Sequence, residues 1–387
     1  MKAIGVHVFA GGFTMGVQKV FDVQHQLEVH GFGLETAEQN CNISCINCDA
    51  KDWPHIDAEF AYGNPRCTGF STITSGYSDD THGPWAKQTC DIHELCAYTA
   101  GRYDVICWES VQQAWTVGRP LIRHLINTYF APKHYRVAHI FVNSASFNNA
   151  QNRRRYFFMA YRDDKNFNIH PPEIKPHAAL MADAIWDMRN RETHEGGTDF
   201  DSYIKLTPTE KTCVPHLPNG WDLNKLARFR PEVTPQSVQD KWKYRTSGLP
   251  FSLHCIFRTN WLRPSPTIHS SAMRWIHPVH DRPLTIGELA TIMGWEGKIP
   301  VGKGAVPQIA KGVVPAVGEW LAKQAQHYLN DDWGDEDWES SFNAKTSTWE
   351  GKNTNGAREK VFDLTDYYGH YFNIEQYAHI QPIQAHI

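Results

Sequence analysis

Along the first part of the chain, short apolar runs alternate with segments whose apolar positions recur every three or four residues. Ile4–Phe9, Val29–Leu34, Val105–Trp108, Tyr135–Val142 and Tyr156–Tyr161 read as buried strands, and Ile92–Thr99 and Gly118–Tyr129 as helices. Strands that alternate with helices predict an α/β domain with a mostly parallel sheet. Ligands of such sheets bind beyond the carboxyl ends of the strands, so residues that close an apolar run are the first candidates for chemistry.

The pattern then changes. Residues 164–262 are rich in Pro, Trp, Lys and Arg and carry only short irregular apolar segments, as expected of a smaller inserted domain. Helical periodicity returns at Leu284–Met293 and Val313–Ala325, which should rejoin the first domain. The expected organisation is therefore 1–163 and 263–325 as one domain, 164–262 as the insert, and 326–387 as an extension. That extension opens on the acidic stretch DDWGDEDWESS, read as solvated, and continues into FDLTDYYGHYFNIEQYAHI.

Composition narrows the picture. Of the 387 residues 41% are hydrophobic, enough for a sizeable core, and the net charge of −4 rules out a wholly basic nucleic-acid coat while allowing a local basic groove. The N-terminus lacks the basic and long apolar regions of a secretion signal, and no run is long enough to span a bilayer. A reducing cytoplasm, of a bacterium or a phage-infected cell, and a monomer are expected. The odd cysteine count of 9 argues against a disulfide framework. Cys41, Cys45 and Cys48 lie close together without a fourth ligand, so they read as small apolar residues around a strand and no metal is expected.

Candidate chemistry clusters where apolar runs end. Phe9-Ala10-Gly11-Gly12 follows the first run, where glycines let backbone turn tightly and approach a ligand. Glu35 closes the second run and Asp49 follows the short run Ser44–Cys48, the places from which acids hold ribose hydroxyls and an adenine amino group. Cys67 lies in GNPRCTGFS, a Gly/Pro-rich loop that favours exposure over packing, with Arg66 beside it to favour the thiolate. Glu109 closes the Val105–Trp108 run, where partial desolvation raises a carboxyl's pKa and suits it to donate a proton. In Gln151-Asn152-Arg153-Arg154-Arg155, strand alternation puts Arg153 and Arg155 on one face, as guanidiniums suited to a phosphate or a base carbonyl.

Taken together, these segments resemble the DNA cytosine-5 methyltransferase family. FAGGFTMG resembles its FAGxGG donor loop, GNPRCTGFS its GxPCQxFS nucleophile loop, ESV its ENV, and QNRRR its QxRxR. RPLTIGELATIMGW resembles the family's R-x-L-T-x-R-E-x-A-x-L-Q-G-F segment and QIAKGVVP its closing QIGNAVPP, in family order over about 2–325.

The resemblance implies a Rossmann-like methyltransferase fold with an inserted target-recognition domain, S-adenosyl-L-methionine as donor and double-stranded DNA as substrate. It implies that Cys67 attacks C6 of a flipped-out cytosine, that Glu109 serves N3, and that Arg155, supported by Arg153, holds O2. Phe9, Gly11, Gly12, Glu35 and Asp49 would hold the donor. Two departures concern that donor. Arg66 stands where the family has the proline before its cysteine, and Ala310-Lys311 stands for the family's Gly-Asn. Cations beside a sulfonium are unfavourable in a low-dielectric pocket, so Lys311 and Arg66 open the alternative of an anionic donor, carboxy-S-adenosyl-L-methionine, and carboxymethyl transfer. A third reading is a non-catalytic DNA-binding homologue. The target sequence is not legible.

Overall fold

The computed structural model describes residues 1–67, 69–70, 89–165, 167–170, 172–173, 179–240, 256–268, 274–332, 349–352 and 358–365. The basic residues Lys241, Lys243 and Arg245, most of the acidic stretch after Asp332, and the chain after Thr365 lie outside the described residues. The chain divides into two compact units. Of the described residues, the first holds those within Met1–Phe147, Arg154–Lys175 and Gly312–Tyr368, and the second those within Asn148–Arg153 and Pro176–Lys311.

The first unit is built on a nine-stranded sheet. Its strands are β1 (Lys2–Val6), β2 (Asp22–Glu28), β3 (Ser44–Asn47), β4 (Phe60–Gly63), β5 (Val105–Ser110), β6 (Tyr135–Asn143), β7 (Arg154–Arg162), β8 (Trp349–Lys352) and β9 (Arg358–Leu364). The spatial order is β8-β9-β6-β7-β5-β4-β1-β2-β3. Ladders β1–β2, β2–β3, β1–β4, β4–β5 and β9–β6 are parallel, while β7 runs antiparallel to β5 and β6, and β8 to β9. The sheet is thus mostly parallel, as the alternation of strand and helix predicts. All six residues of β5, VICWES, are buried, as in a strand covered on both faces. Ile4, Leu27, Ala61, Ile106, Trp108, Phe158 and Ala160 join one continuous core there.

Three helices matter for the site. They are α1 (Gly12–Val17), α2 (Leu34–Cys41) and α3 (Cys90–Thr99). Downstream lie α4 (Arg119–Leu125), α5 (Ile286–Ile292), α6 (Ala305–Lys311) and α7 (Pro315–Asn330). Helix α7 packs so closely on α1 that a Cβ at Gly16 would come within 2.2 Å of the Pro315 carbonyl oxygen. By packing, α5 and α6 belong to the second unit and α7 to the first, so the chain re-enters the first unit at Gly312, well past residue 263. In the second unit Thr285 and Glu288 cap α5 reciprocally, and Arg282 forks onto the same carboxylate at 2.8 and 2.9 Å. A second small core joins Val214, Leu217, Leu226, Ile256 and Ile276.

Two expectations need correction. Val29–Leu34 is no strand. The second strand is the more polar DVQHQLE, and Gly33, in the left-handed conformation at φ 82°, opens α2 instead. The solvated reading of the acidic stretch falls outside the described residues, but the extension beyond it is structural. Glu359–Leu364 of β9 pairs with Val137–Val142 of β6 in unbroken register, Phe362 is buried, and the Ser146 hydroxyl donates to the Leu364 carbonyl at 3.1 Å. Buried His139 faces Glu359 at 3.2 Å and the Tyr156 hydroxyl at 2.8 Å.

Candidate active site

The strand order reverses at β1 and β4: from β1 the chain winds outward through β2 and β3, and from β4 toward β5. Ligands of open α/β sheets bind beyond such a switch point. Both glycine-bearing loops singled out from the sequence leave from it. The Gly63 end of β4 lies so close to β1 and α3 that a Cβ there would meet the Val6 oxygen and the Leu95 side chain at 2.3 Å. The Asn64 amide donates to the His7 carbonyl at 2.9 Å and ties the two loops together.

The donor loop is held from below. His7 and Phe9 take left-handed backbone conformations, φ 55° and 59°, unusual for such side chains and maintained here by the surroundings. Glu28, at the end of β2, accepts from the Val8 and Phe9 amides, the latter at 3.0 Å, and Gln26 donates to the Phe9 carbonyl at 2.9 Å. Burial pushes the Glu28 carboxyl up to about 7, against the lowering effect of His7 and these donors. A Cβ at Gly11 would press on Cys41 Sγ at 2.9 Å, and one at Gly12 on the Val313 oxygen at 2.8 Å. These glycines therefore serve close packing of α2 and of the segment entering α7.

The acid at the end of the second strand is thus Glu28, which the sequence reading missed. Glu35 sits in the first turn of α2, exposed, and Asp49 is exposed just after β3, beside Lys51 at 3.6 Å. The available signal was an acid closing a segment of alternating polar and apolar residues, DVQHQLE, just before the glycines of the next turn.

Cys67 is half-buried in the loop after β4, and its carbonyl accepts from the Phe70 amide at 2.9 Å in a tight turn. Arg66 points to α3. Its Nε and Nη2 fork onto the two oxygens of Asp91 at 2.7 and 2.6 Å, and Nη2 also meets Cys90 Sγ at 3.3 Å. Burial alone would raise the Asp91 carboxyl. Arg66's hydrogen bonds and charge, with His7, outweigh it and hold the group at about 2. The charge of Arg66 is thereby neutralised, which weakens its case as a thiolate-promoting or donor-selecting cation.

Glu109 is buried on β5, and Arg155 Nε lies 2.6 Å from its Oε1. Register pairs Gly63 with Trp108, so the Cys67 loop and Glu109 leave adjacent parallel strands at one edge. Arg153 does not share a strand face with Arg155. The chain breaks between the short strand Gln151–Asn152 and β7, and Arg153 belongs to the second unit, buried, donating to the Ile268 and Ala310 carbonyls at 3.3 and 2.8 Å. Lys311, the exposed last residue of α6, directly precedes Gly312, whose Cα a Cβ at Gly12 would meet at 3.4 Å.

One group of metal-ligand types occurs among the described residues: His7, Asp91 and Glu94 bring ligand atoms within 4.8 Å of one another. Both Asp91 oxygens are already engaged by Arg66, so a cation there would have to displace a guanidinium. The switch-point loops suit a nucleoside-type donor better: glycines at the turn, Glu28 beneath it, and the nucleophile loop alongside.

The model for C-5 cytosine-specific DNA methylases matches residues 6–327. The chain belongs to this family. It is accordingly a DNA cytosine methyltransferase-like transferase that acts on DNA, and no described helix is long and apolar enough to cross a membrane. Among solved structures it is similar to a prophage-encoded protein from E. coli described as a DNA modification methyltransferase, at 18% identity and TM-score 0.58 over 85% of this chain and 99% of that one. It is also similar to the Entamoeba histolytica methyltransferase EhMeth, at 10% identity and TM-score 0.54 over 87% and 99%. No curated protein sequence matches the chain. The structural likenesses support the fold, and the family match carries the reaction class.

Proposed function

We propose that the protein methylates C5 of a flipped-out cytosine in double-stranded DNA through a covalent Cys67 adduct, with S-adenosyl-L-methionine as donor. The observation that supports this reading is that the Cys67 loop leaves β4 at the same edge of the sheet where Glu109, paired with Arg155, lies near the end of the adjacent parallel strand β5. Cytosine C5 is a poor nucleophile until the ring's aromaticity is broken, and the reaction cannot occur inside a stacked duplex. The Cys67 thiolate forms a bond to C6, and the C5–C6 π electrons shift toward C5 and the N3–O2 side of the ring. Arg155 is set to turn from Glu109 to O2, and Glu109 supplies a proton or hydrogen bond to N3. Phe9 and the Gly11–Gly12 turn over Glu28 would hold a sulfonium donor, which would supply the electrophilic carbon: as C5 bonds to it the carbon–sulfur bond would break and a neutral thioether would leave. Loss of the C5 proton to a base returns an electron pair to the C5–C6 bond and expels Cys67. Arg153, in the second unit, braces the end of α6 through its bond to the Ala310 carbonyl.

The target-recognition role falls to the second unit. There Phe229 is 55% exposed, with Arg228 stacked over its ring at 4.9 Å, a surface suited to bases and phosphates. Arg230 is paired with Glu232. On this reading the protein acts as a monomer in a reducing cytoplasm.

A second reading concerns the group transferred. Lys311 is bonded to Gly312, which packs on the donor loop at Gly12, so a cation is tethered one residue from that loop. A donor bearing an extra carboxylate, carboxy-S-adenosyl-L-methionine, would pair with it and yield 5-carboxymethylcytosine. Mass spectrometry of nucleosides from DNA incubated with each donor separates the two. A 5-methylcytosine product supports the first reading and 5-carboxymethylcytosine the second. Neither product with either donor, despite DNA binding, would favour a non-catalytic homologue.

A further inference from the structure

The residue before Cys67 is Arg66, where the resemblance leads one to expect proline. Proline would fix φ near −65° and stiffen the loop through the backbone alone. Arginine supplies no such restraint at position 66, so Pro65 stiffens the loop one residue earlier and the link to Cys67 itself needs another hold.

The side chain of Arg66 provides the hold. Its guanidinium makes a two-bond fork on Asp91, a contact that fixes direction as well as distance. Asp91 is 1% exposed and lies in the first turn of α3, whose residues Ile92, Leu95 and Cys96 are buried in the main core. The anchor is therefore a rigid element. On the other side the Asn64 amide is fixed to the His7 carbonyl. The chain leading to Cys67 is pinned at Asn64 and again at Arg66.

We propose that Asp91 is a positioning residue for the nucleophile, and that the Arg66–Asp91 fork takes over the loop-stiffening task of the absent proline. The inference rests on Cys67 being the nucleophile. Two other uses of these residues fit less well. Arg66 is neutralised by Asp91 and so offers little net field to a thiolate or a donor. Asp91 has both oxygens committed and so is poorly placed to ligate a metal with His7 and Glu94. Because Asp91 stays ionised down to about pH 2, the fork persists wherever the enzyme works.

The test is a double-mutant cycle of Asp91→Asn and Arg66→Gln. It is read as the single-turnover rate of Cys67 adduct formation on a 5-fluorocytosine duplex with saturating DNA and S-adenosyl-L-methionine. Each single change should slow the adduct by about 10–100-fold with DNA Kd within about twofold, and the double variant should be no slower than the slower single one, as for residues acting as one unit. Asp91→Glu should recover part of the rate, and Arg66→Lys should not, since an ammonium cannot fork. If Asp91→Asn fails to fold with an unpaired guanidinium, the double variant and Arg66→Gln still decide. Single variants within about twofold of wild type, losses that multiply in the double variant, or an effect confined to DNA Kd would each overturn the proposal. Absence of any adduct with the wild-type protein would instead overturn the nucleophile assignment on which the proposal rests.

Discussion

Two carboxyls, Glu28 and Asp91, are buried in the same unit, each beneath a loop at the carboxyl edge of the sheet. Glu28 is pushed up to about 7 and Asp91 is held at about 2. Burial acts on both in the same direction. The difference lies in the partners. Asp91 faces a guanidinium in a two-bond fork, whereas Glu28 receives backbone amides and the Gln26 amide, with His7 at 3.9 Å. A fixed cation turns a buried acid into a permanent anchor, and neutral donors leave it able to titrate. Asp91 fits the rigid support of a nucleophile loop, and Glu28 the floor of a donor loop that must accept a cationic ligand. Glu109, also buried, has the Arg155 guanidinium beside it at 2.6 Å.

The largest effect is expected at the far edge of the sheet, where Glu359 and His139 form a third kind of buried pair. Ending the chain at residue 330 removes β8 and β9, strips His139 of its acidic partner and uncovers β6. The truncated protein should lose most of its soluble folded yield, as measured by circular dichroism and gel filtration. A truncated protein that folds with an unchanged melting temperature would show that the added strands are dispensable.

Glu109→Gln sharpens the distinction between anchor and reactive acid. Single-turnover chemistry should fall by roughly 10²-fold or more, the usual scale for a general acid–base group, while the fold and DNA affinity persist. A rate within a factor of two would reduce Glu109 to a structural partner of Arg155.

The contrast between Glu28 and Asp91 has a direct signature in stability against pH. For Glu28 the folded pKa, about 7, exceeds the ordinary value of 4.5, so the folded state holds the extra proton between them. Stability should therefore fall as pH rises from 4.5 to 7, by about 3 kcal/mol if the shift is fully expressed. Glu28→Gln should abolish that slope in urea unfolding. For Asp91, depressed from 3.8 to about 2, the contribution is present above pH 4 and disappears as pH falls through 2. A wild-type stability that is flat between pH 4.5 and 7 would break the comparison.

A smaller effect is expected at Lys311. If it reads the donor, Lys311→Asn should shift the preference between carboxy-S-adenosyl-L-methionine and S-adenosyl-L-methionine by about 5–50-fold toward the latter, the worth of one charge-assisted contact. The competition is read by mass spectrometry of the modified nucleoside. Identical preferences in wild type and variant would remove Lys311 from donor selection.

The sequence made part of this legible for a physical reason. Cys67, Glu109 and Arg155 each stand where an apolar run stops or starts, and such places in an α/β sheet lie at its functional edge. Glu28 was hidden because β2 carries buried polar residues, Gln26 and Glu28, which satisfy each other and the donor loop instead of forming an apolar run. Asp91 lies one residue before the point where helical periodicity starts, at Ile92. Arg153 could not be told from Arg155 because the break in the ladder between Asn152 and Arg154 has no local signature. The strand around Val361 and Phe362 was masked by its acidic, polar approach, and only its pairing with β6 reveals it.

The proposed reaction turns on a bond between Cys67 and the cytosine ring. Intact-mass analysis of the protein incubated with a 5-fluorocytosine duplex and S-adenosyl-L-methionine or its carboxy analogue tests it most directly. Fluorine at C5 prevents the release of the proton that frees the enzyme. A stable protein–DNA adduct mapped to Cys67 is expected, lost in Cys67→Ser and retained when any other cysteine is changed to serine. Turnover that survives in Cys67→Ser, or an adduct on another residue, would contradict it.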